Sequence, residues 1–469
     1  MGIIAGFIFE TDKMCYALMF SGINTINNLR ETHMNPLAVQ LNEIIEKGNP
    51  HVMDMLSEIG KKIFFPKGIL SQSAEAREKA FKLNATIGIA TEKGKIMCFP
   101  SVMNQLGGVK PEEALTYASS FGLMDLRKTW KEYMFKKNPS LNGKNISLPI
   151  VASGITHAIS IMGDMFINPG DVVIVPDMMW GNYNMILATR KNARLSSYPL
   201  FNDNGGYNLE AFEAKIKAEA SQNSKIVVIL NFPNNPTGYA VSKTEGARIA
   251  EILTETAKSG TNVIAVCDDA YFGLYYEEET MKESIFGLMA GTHERLIPMK
   301  LDGATKENYV WGLRVAFITY GLKAKGDMDD FNDAVERKTA GCIRGNISNA
   351  PHLSQTIVLK SMQDKAFEEE ASEKFEILKK RANRVKEVIK NPKYEKAFTP
   401  YPFNSGYFMC VQLKEANAEK LRVHLLEKYG VGVIALGEKN IRVAFSCLEE
   451  EDIQTLFDCI LDAANDLCS

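Results

Sequence analysis

The feature that most restricts the fold of this chain is a series of short apolar runs that alternate with helical stretches between about residues 105 and 320. The runs are continuous and rich in β-branched residues, as in Asp171–Pro176, Lys225–Leu230 and Asn262–Cys267. Strands covered on both faces, as in parallel sheets, have this composition. Stretches with the length of helices, such as Lys243–Ser259, lie between them. The alternation predicts an α/β fold with a mainly parallel sheet, in which ligands bind at the carboxyl ends of strands.

The pattern changes after Met328. A charged helical stretch covers about residues 327–342, and a second one covers Gln363–Ile389. Short strand-like segments follow, at Tyr407–Leu413, Gly432–Ala435 and Asn440–Phe445. This order predicts a smaller α+β domain at the carboxyl end of the chain.

The length of 469 residues accommodates two or three structural units. We predict a large domain over residues 101–345 and a small domain over residues 346–469. Residues 34–100 are expected to pack with the small domain. Residues 1–33 are interpreted as an amino-terminal extension of unknown role, and Met34 is a candidate natural start because Asn35-Pro36-Leu37 can open a helix.

Composition excludes several classes of partner. The net charge of −3 gives no electrostatic reason to expect nucleic acid or an anionic membrane as a partner. The apolar segment near the amino terminus is shorter than the roughly 20 residues of a membrane helix. The eight cysteines are scattered and none has zinc-type spacing, so we expect free thiols in a reducing cytoplasm and no metal site.

Several polar residues fall where the predicted strands end. Asn235 lies in an Asn-Asn-Pro-Thr-Gly segment after one strand, and Asp268 follows another in Asp-Asp-Ala-Tyr. Lys306, Arg314 and Arg442 come later in the chain. Each motif alone is weak, because turns favour Asn, Pro and Gly and an Asp at a strand end is often only a helix cap. Their order and spacing together are informative.

That order resembles the class I/II aminotransferases, enzymes that use pyridoxal 5′-phosphate (PLP), over about residues 84–450. The resemblance implies that Lys306 holds PLP as a Schiff base and later moves a proton at the substrate α-carbon. It implies that Asp268 keeps the pyridine nitrogen protonated, with Asp269 as its outward neighbour. Tyr271 and Asn235 would then hydrogen-bond the phenolic oxygen of the cofactor.

Further cofactor contacts follow from the same resemblance. Arg314 would grip the phosphate with its planar fork, and the amides of Ile155 and Thr156 at a helix start would bind the same group. Trp180 matches the aromatic residue that stacks on the cofactor ring. Many relatives have Ser-x-Ser-Lys at the lysine, where this chain has Gly-Ala-Thr-Lys. Thr305 is retained as a cofactor contact, and one phosphate hydrogen bond is expected to be missing or replaced.

The resemblance also assigns residues to the substrate and to a second subunit. Arg442 would clamp the substrate α-carboxylate, and Gly88 resembles the backbone that closes over it. Tyr117 and Ser348 would reach the phosphate of the neighbouring subunit. Arg344 resembles the second arginine of aspartate and aromatic aminotransferases, which binds a distal carboxylate across the subunit boundary. We therefore expect a homodimer with shared active sites.

The leading functional prediction is an L-amino acid:2-oxoglutarate aminotransferase of aspartate or aromatic type, working in two half-reactions through pyridoxamine phosphate. The same cofactor site could serve a lyase or decarboxylase acting on aspartate or a sulfur amino acid. A non-catalytic PLP-binding regulator is disfavoured because residues 1–80 have no basic helix-turn-helix pattern. A plain α/β binding module without PLP is the remaining alternative.

Overall fold

The computed structural model of this chain describes residues 34–64 and 68–468, which form two compact units. The predicted extension, residues 1–33, lies outside the described residues. In the first unit the Asn35 side chain accepts a hydrogen bond from the Leu37 amide, and proline stands in the first turn. The helix predicted to open at this point is therefore confirmed. The helices of this unit are Pro36–Gly48, Pro50–Met55 and Glu58–Lys62.

The second unit contains fifteen strands that divide among several sheets. In chain order they are β1 (Leu83–Asn84), β2 (Thr91–Glu92), β3 (Lys95–Ile96), β4 (Ile150–Ala152), β5 (Val172–Pro176), β6 (Arg194–Tyr198), β7 (Lys225–Asn231), β8 (Asn262–Asp268), β9 (Leu296–Asp302), β10 (Ala316–Tyr320), β11 (Phe398–Pro400), β12 (Phe408–Leu413), β13 (Val431–Gly432), β14 (Ile434–Leu436) and β15 (Asn440–Ala444). The α-helices of this unit are Ile69–Lys79, Pro100–Gln105, Pro111–Ala114, Met124–Lys137, Ile155–Phe166, Leu209–Ala220, Lys243–Lys258, Ile285–Met289, Ala304–Glu307, Met328–Asn346, His352–Met362, Phe367–Ile389, Ala418–His424 and Asp452–Cys468.

The central sheet has seven strands in the order β4-β10-β9-β8-β7-β5-β6. β10 is antiparallel to both of its neighbours, and the remaining pairs are parallel. The predicted α/β class with a mainly parallel sheet is confirmed. Because β7, β8 and β9 are parallel neighbours, their carboxyl ends meet at one edge, where the strand-end residues were expected to gather.

A four-stranded antiparallel sheet, in the order β11-β12-β15-β14, forms the core of the carboxyl-terminal region. The long amphipathic helices Phe367–Ile389 and Asp452–Cys468 pack with each other in this region. β1 pairs in parallel with β13, so the segment around residue 83 joins this part of the chain. The boundary proposed near residue 345 stays a prediction, because residues 68–468 behave as one compact unit.

Three observations concern the described residues as a whole. None of their helices has both the length and the apolar character needed to cross a membrane. No group of three or more potential metal ligands gathers among residues 34–64 and 68–468. The cysteines in this part of the chain are free thiols.

Candidate active site

Three adjacent strand ends bring the predicted catalytic lysine and two predicted cofactor-binding residues to one edge of the central sheet. Asp268 closes β8 and lies in register with Asn231 of β7 and Leu301 of β9. Asn235 follows β7 in a turn. The backbone N–H of Asn235 donates to the Asn231 side-chain oxygen at 2.9 Å. Lys306 follows β9 in a single helical turn, Ala304–Glu307. The parallel register is thus the reason that residues far apart in sequence share one site.

Asp268 is a buried carboxylate with one free oxygen. The Tyr183 hydroxyl donates to its Oδ2, and the Asn231 side chain donates to its backbone carbonyl at 2.9 Å. Its Oδ1 is buried and has no hydrogen-bond partner. Burial raises the pKa of Asp268 to about 6, although the Tyr183 hydrogen bond and the Lys306 charge act in the opposite direction. A buried acceptor of this kind is suited to a cationic N–H donor.

Lys306 carries an amine that is easier to deprotonate than an ordinary lysine. Its Nζ lies 4.7 Å from the centroid of the Tyr271 ring. Burial lowers its pKa to about 8, and the positive charges of Arg314 and Arg442 add to that effect, while Asp268 opposes it. A neutral amine is the form that attacks a carbonyl and accepts a proton. Lys306 therefore has the chemical properties of an amine that can form a Schiff base and carry a proton.

A corner formed by a helix amino terminus and Arg314 lies beside this amine. Gly154 has a φ of 81° and precedes helix Ile155–Phe166, whose first amides include those of Ile155 and Thr156. The Arg314 guanidinium packs so closely on Gly154 that an added Cβ would lie 2.3 Å from Arg314 Nη2. At this positive φ another residue would be strained, and its Cβ would displace the guanidinium from this position. A helix amino terminus and an arginine together make a site for phosphate.

The glycine that replaces the familiar serine has a steric explanation. A Cβ on Gly303 would lie 2.6 Å from the Val315 carbonyl oxygen and 2.8 Å from the Ala316 Cα. Both contacts are with backbone, which cannot swing aside. The Thr305 hydroxyl donates to the same Val315 carbonyl at 3.4 Å, so it also faces protein in this structure. Its predicted contact with the cofactor stays a prediction.

Gly303→Ser is expected to lower the free energy of unfolding by roughly 1–3 kcal/mol, because β10 must shift to admit the side chain. We do not expect the new hydroxyl to strengthen PLP binding. Chemical denaturation and a PLP titration measure the two effects. Gly303→Ala is the matched control, since it adds the Cβ without the hydroxyl. Tighter PLP binding by the serine variant than by the alanine variant would contradict the steric explanation.

Arg442 lies on β15 with only 2% of its surface exposed. Its Nη2 donates to the Thr86 carbonyl at 2.9 Å, and its Nη1 donates to the Asn235 side-chain oxygen at 3.1 Å. Its Nε is buried without a partner, and the guanidinium carbon lies 4.1 Å from the Phe408 ring centroid. Hydrogen-bond capacity thus remains for a buried anion. Because the oxygen of the Asn235 amide faces Arg442, its N–H₂ end is left for another acceptor.

Gly88 and Trp180 lie beside these groups. A Cβ on Gly88 would lie 3.2 Å from the Phe408 ring and 3.5 Å from the Tyr271 hydroxyl, so this backbone runs against the same cluster. The Trp180 ring stands edge-to-face with Tyr183 at 5.5 Å between centroids. Through Tyr183 it adjoins Asp268. The structure therefore gathers the predicted residues of the three strand ends, the helix start and the small sheet.

Three predicted residues do not join this cluster within one chain. Tyr117 is 90% exposed, and Arg344 is also exposed and donates to the Ser348 hydroxyl at 2.7 Å. The segments that carry them are neighbours, because the Ser120 hydroxyl donates to the Ser348 carbonyl at 2.7 Å. The residues assigned to a second subunit thus lie together on one surface, whereas the others line the strand ends.

One expectation was wrong. Asp269 was interpreted as an outward neighbour of Asp268, yet it is buried and accepts a 2.6 Å hydrogen bond from Lys300 on the opposite face of the sheet.

Sequence reasoning also missed Tyr183, the partner of Asp268. Only its position three residues after Trp180 hinted at a role. Tyr407 was missed as well, although its hydroxyl donates to the Lys306 carbonyl at 2.9 Å and holds that helical turn.

The residues present fit PLP. The free Oδ1 of Asp268 can accept a pyridinium N–H, and the Arg314 corner can hold a phosphate. Lys306 supplies an amine with a lowered pKa for the aldehyde. These are three chemically different requirements, and adjacent parts of one site meet them.

Known proteins show the same architecture. An aspartate aminotransferase of Sulfurisphaera tokodaii is 26% identical over 357 residues, which cover 72% of this chain and 79% of the relative. The crystal structure of an aminotransferase from Anaerococcus prevotii superposes with a TM-score of 0.78 at 24% identity, covering 88% of this chain and 99% of that one. A Pyrococcus horikoshii kynurenine aminotransferase, solved with PMP, has a TM-score of 0.73 at 19% identity and covers 88% of this chain and 98% of its own.

The family model for aminotransferase class I and II matches residues 83–460, most of the chain. That range includes Arg344, Arg442 and every residue predicted above to contact the cofactor. The chain belongs to the class I and II aminotransferases and is a PLP-dependent transaminase.

Proposed function

We propose that this chain transfers the amino group of an L-amino acid, of aspartate or aromatic type, to 2-oxoglutarate as a homodimer. The proposal rests on two arginines that differ in burial. Arg442 is buried within the site, whereas Arg344 is exposed beside Ser348. A dicarboxylate such as glutamate or 2-oxoglutarate needs two such anchors. The aspartate aminotransferase named among the relatives supports this substrate class.

Bound PLP supplies an electron sink for the carbanion that forms when the substrate α-carbon loses its proton. The chain provides the groups around that carbon. Lys306 Nζ accepts and returns the proton, for which a pKa of about 8 leaves a useful neutral fraction near pH 7. Asp268 holds the cofactor nitrogen in its protonated form, and the Arg442 guanidinium orients the α-carboxylate. Positioning and electrostatics are thus the contributions of the protein.

The proposed dimer explains the exposed surface near Arg344. Leu115 is 84% exposed and Tyr117 is 90% exposed, and Ile347 and Leu353 are each 40% exposed. Large apolar side chains exposed together often mark a contact with another protein. The hydrogen bond between the Thr116 hydroxyl and the His352 ring, 3.0 Å long, ties the two segments into one surface. Burying this surface against a second copy would bring Arg344 towards the partner's site.

Arg344→Ala tests the substrate assignment. We expect kcat/KM for dicarboxylate substrates to fall about 10- to 100-fold, because one charged hydrogen-bonding contact is lost. Monocarboxylate amino acids should be affected far less. A substrate panel of aspartate, tyrosine, phenylalanine, alanine and methionine with 2-oxoglutarate provides the measurement.

Arg337→Ala is the matched control for this variant, because Arg337 is an exposed arginine on the same helix that pairs with Asp333. An equal loss for dicarboxylates and monocarboxylates in Arg344→Ala would argue against the role in specificity. A variant indistinguishable from wild type on every substrate would also contradict the proposal. The same panel, followed for carbon dioxide and thiol release, reveals any lyase or decarboxylase activity.

A further inference from the structure

A buried ion cluster lies behind the catalytic edge of the sheet, and the reaction does not use it directly. The Lys300 ammonium is fully buried and lies 2.6 Å from Asp269 Oδ2 and 3.1 Å from Asp302 Oδ2. It also stands 4.0 Å from the centroid of the Phe272 ring. Asp302 accepts a further hydrogen bond from the Trp130 indole N–H at 3.2 Å.

This cluster connects the two strands that carry the reactive groups. Asp269 directly follows Asp268 at the end of β8, and Asp302 is the last residue of β9, just before the turn that holds Lys306. Successive side chains alternate between the two faces of a strand. Asp268 therefore faces Tyr183 on one side of the sheet, while Asp269 and Lys300 meet on the other side. Lys300 bridges the backs of both strand ends.

The electrostatic balance depends on one cation between two carboxylates. Burial alone would lower the pKa of Lys300, but Asp269 and Asp302 raise it above its usual value. Asp269 also acts across the sheet, since its negative charge adds to the burial that raises the pKa of Asp268. A buried ion cluster is seldom a strong stabilising device, because desolvation offsets most of the attraction. Its position next to Asp268 suggests an electrostatic role instead.

We propose that Lys300 is a positioning residue of the aminotransferase site, which holds the strand ends of Asp268 and Lys306 from the opposite face and neutralises Asp269. The inference rests on the proposed roles of Asp268 and Lys306. Without the Lys300 charge, the site experiences extra negative potential. Protonation of the lysine-bound cofactor then becomes more favourable, and Asp268 holds its own proton more tightly. The titratable and charged groups facing the Lys306 amine are Tyr271, Asp268, Arg314 and Arg442, and the substitutions below leave all of them intact.

The test is a pH titration of the visible absorption of the PLP-loaded enzyme, with thermal unfolding measured in parallel. Lys300→Met should raise the apparent pKa of the bound cofactor by about one unit, a tenfold change in proton affinity. Asp269→Asn should shift it in the opposite direction. The double variant Lys300→Met/Asp269→Asn should return towards wild type, and Lys300→Arg should remain near it, because the charge is kept.

The proposal would be overturned if Lys300→Met and Asp269→Asn both kept the wild-type apparent pKa of the bound cofactor and lost only thermal stability. The cluster would then have a purely structural role. Should Lys300→Met fail to fold, Asp269→Asn alone decides, since an unshifted titration in it contradicts the electrostatic role. Lys306→Ala tests the assignment of Lys306 separately from the proposed role of Lys300. If that variant retained the wild-type titration, the cofactor would be attached elsewhere and the role of Lys300 would fail with the assignment of Lys306.

Discussion

Lys306→Ala is expected to reduce kcat by at least about 10³-fold, because it removes both the covalent attachment of PLP and the proton carrier at the substrate α-carbon. Lys300, the nearby buried lysine of β9, cannot replace it by a small movement, because it lies on the opposite face of the sheet between two carboxylates. Single-turnover kinetics with glutamate measure the loss. Mass spectrometry of the borohydride-reduced holoenzyme should place the cofactor adduct on Lys306.

Lys323→Ala serves as the control for this experiment, because Lys323 is exposed and its Nζ donates to the Thr292 carbonyl at 3.3 Å. It should leave activity and the adduct unchanged. Recovery of the adduct on a different lysine in the wild-type protein would refute the assignment of Lys306. So would a Lys306→Ala variant with a substantial fraction of the wild-type rate.

Arg442→Ala is expected to lower kcat/KM by a factor between about 10² and 10⁴ for every amino-acid substrate. The reason is that the proposed contact with the α-carboxylate, two charged hydrogen bonds that each contribute about 1.5–3 kcal/mol, would be lost. All substrates share this carboxylate, so the loss should not depend on the side chain. This uniform effect contrasts with the selective effect expected for Arg344→Ala.

Arg442→Lys is the informative companion, because lysine keeps the charge but not the planar fork. It should recover part of the lost kcat/KM. Since Arg442 also bonds Thr86 and Asn235, the affinity for PLP and the free energy of unfolding must be measured with each variant. If PLP affinity fell by the same factor as kcat/KM, Arg442 would be needed for the structure of the cofactor site and not for binding the substrate carboxylate.

The parts of the fold that could be predicted share a simple property. Strands β5, β7 and β8 are continuous apolar runs, so their burial on both faces could be predicted from the sequence. β9 was not predicted, because Lys300 and Asp302 interrupt its apolar pattern. Their charges can be buried only because Asp269 and Trp130 lie within reach. A local pattern cannot reveal partners that are distant in the chain.

The candidate site also has a part that could be predicted from the sequence and a part that could not. The order of Asn235, Asp268, Lys306, Arg314 and Arg442 was enough to predict a PLP site, because that order resembles the class I/II aminotransferases. Sequence could not show that Tyr183 bonds Asp268 or that Tyr407 bonds the Lys306 carbonyl. Neither tyrosine belongs to a short motif that carries the chemistry.

The replacement at Gly303 shows where sequence and structure meet. As a sequence, it was a departure from the usual serine with no evident cause. In the structure, the Val315 carbonyl occupies the space that a side chain would need, 2.6 Å from the added Cβ. The sequence by itself determined the fold class through its apolar periodicity. The order of its reactive groups, through the resemblance to class I/II aminotransferases, indicated the cofactor and predicted Lys306 as the lysine that binds it. Only the tertiary structure decided that Asp268 keeps a free oxygen while Asp269 is neutralised behind it, because strand pairing and side-chain alternation, rather than residue type, assign two adjacent aspartates to opposite faces of the sheet.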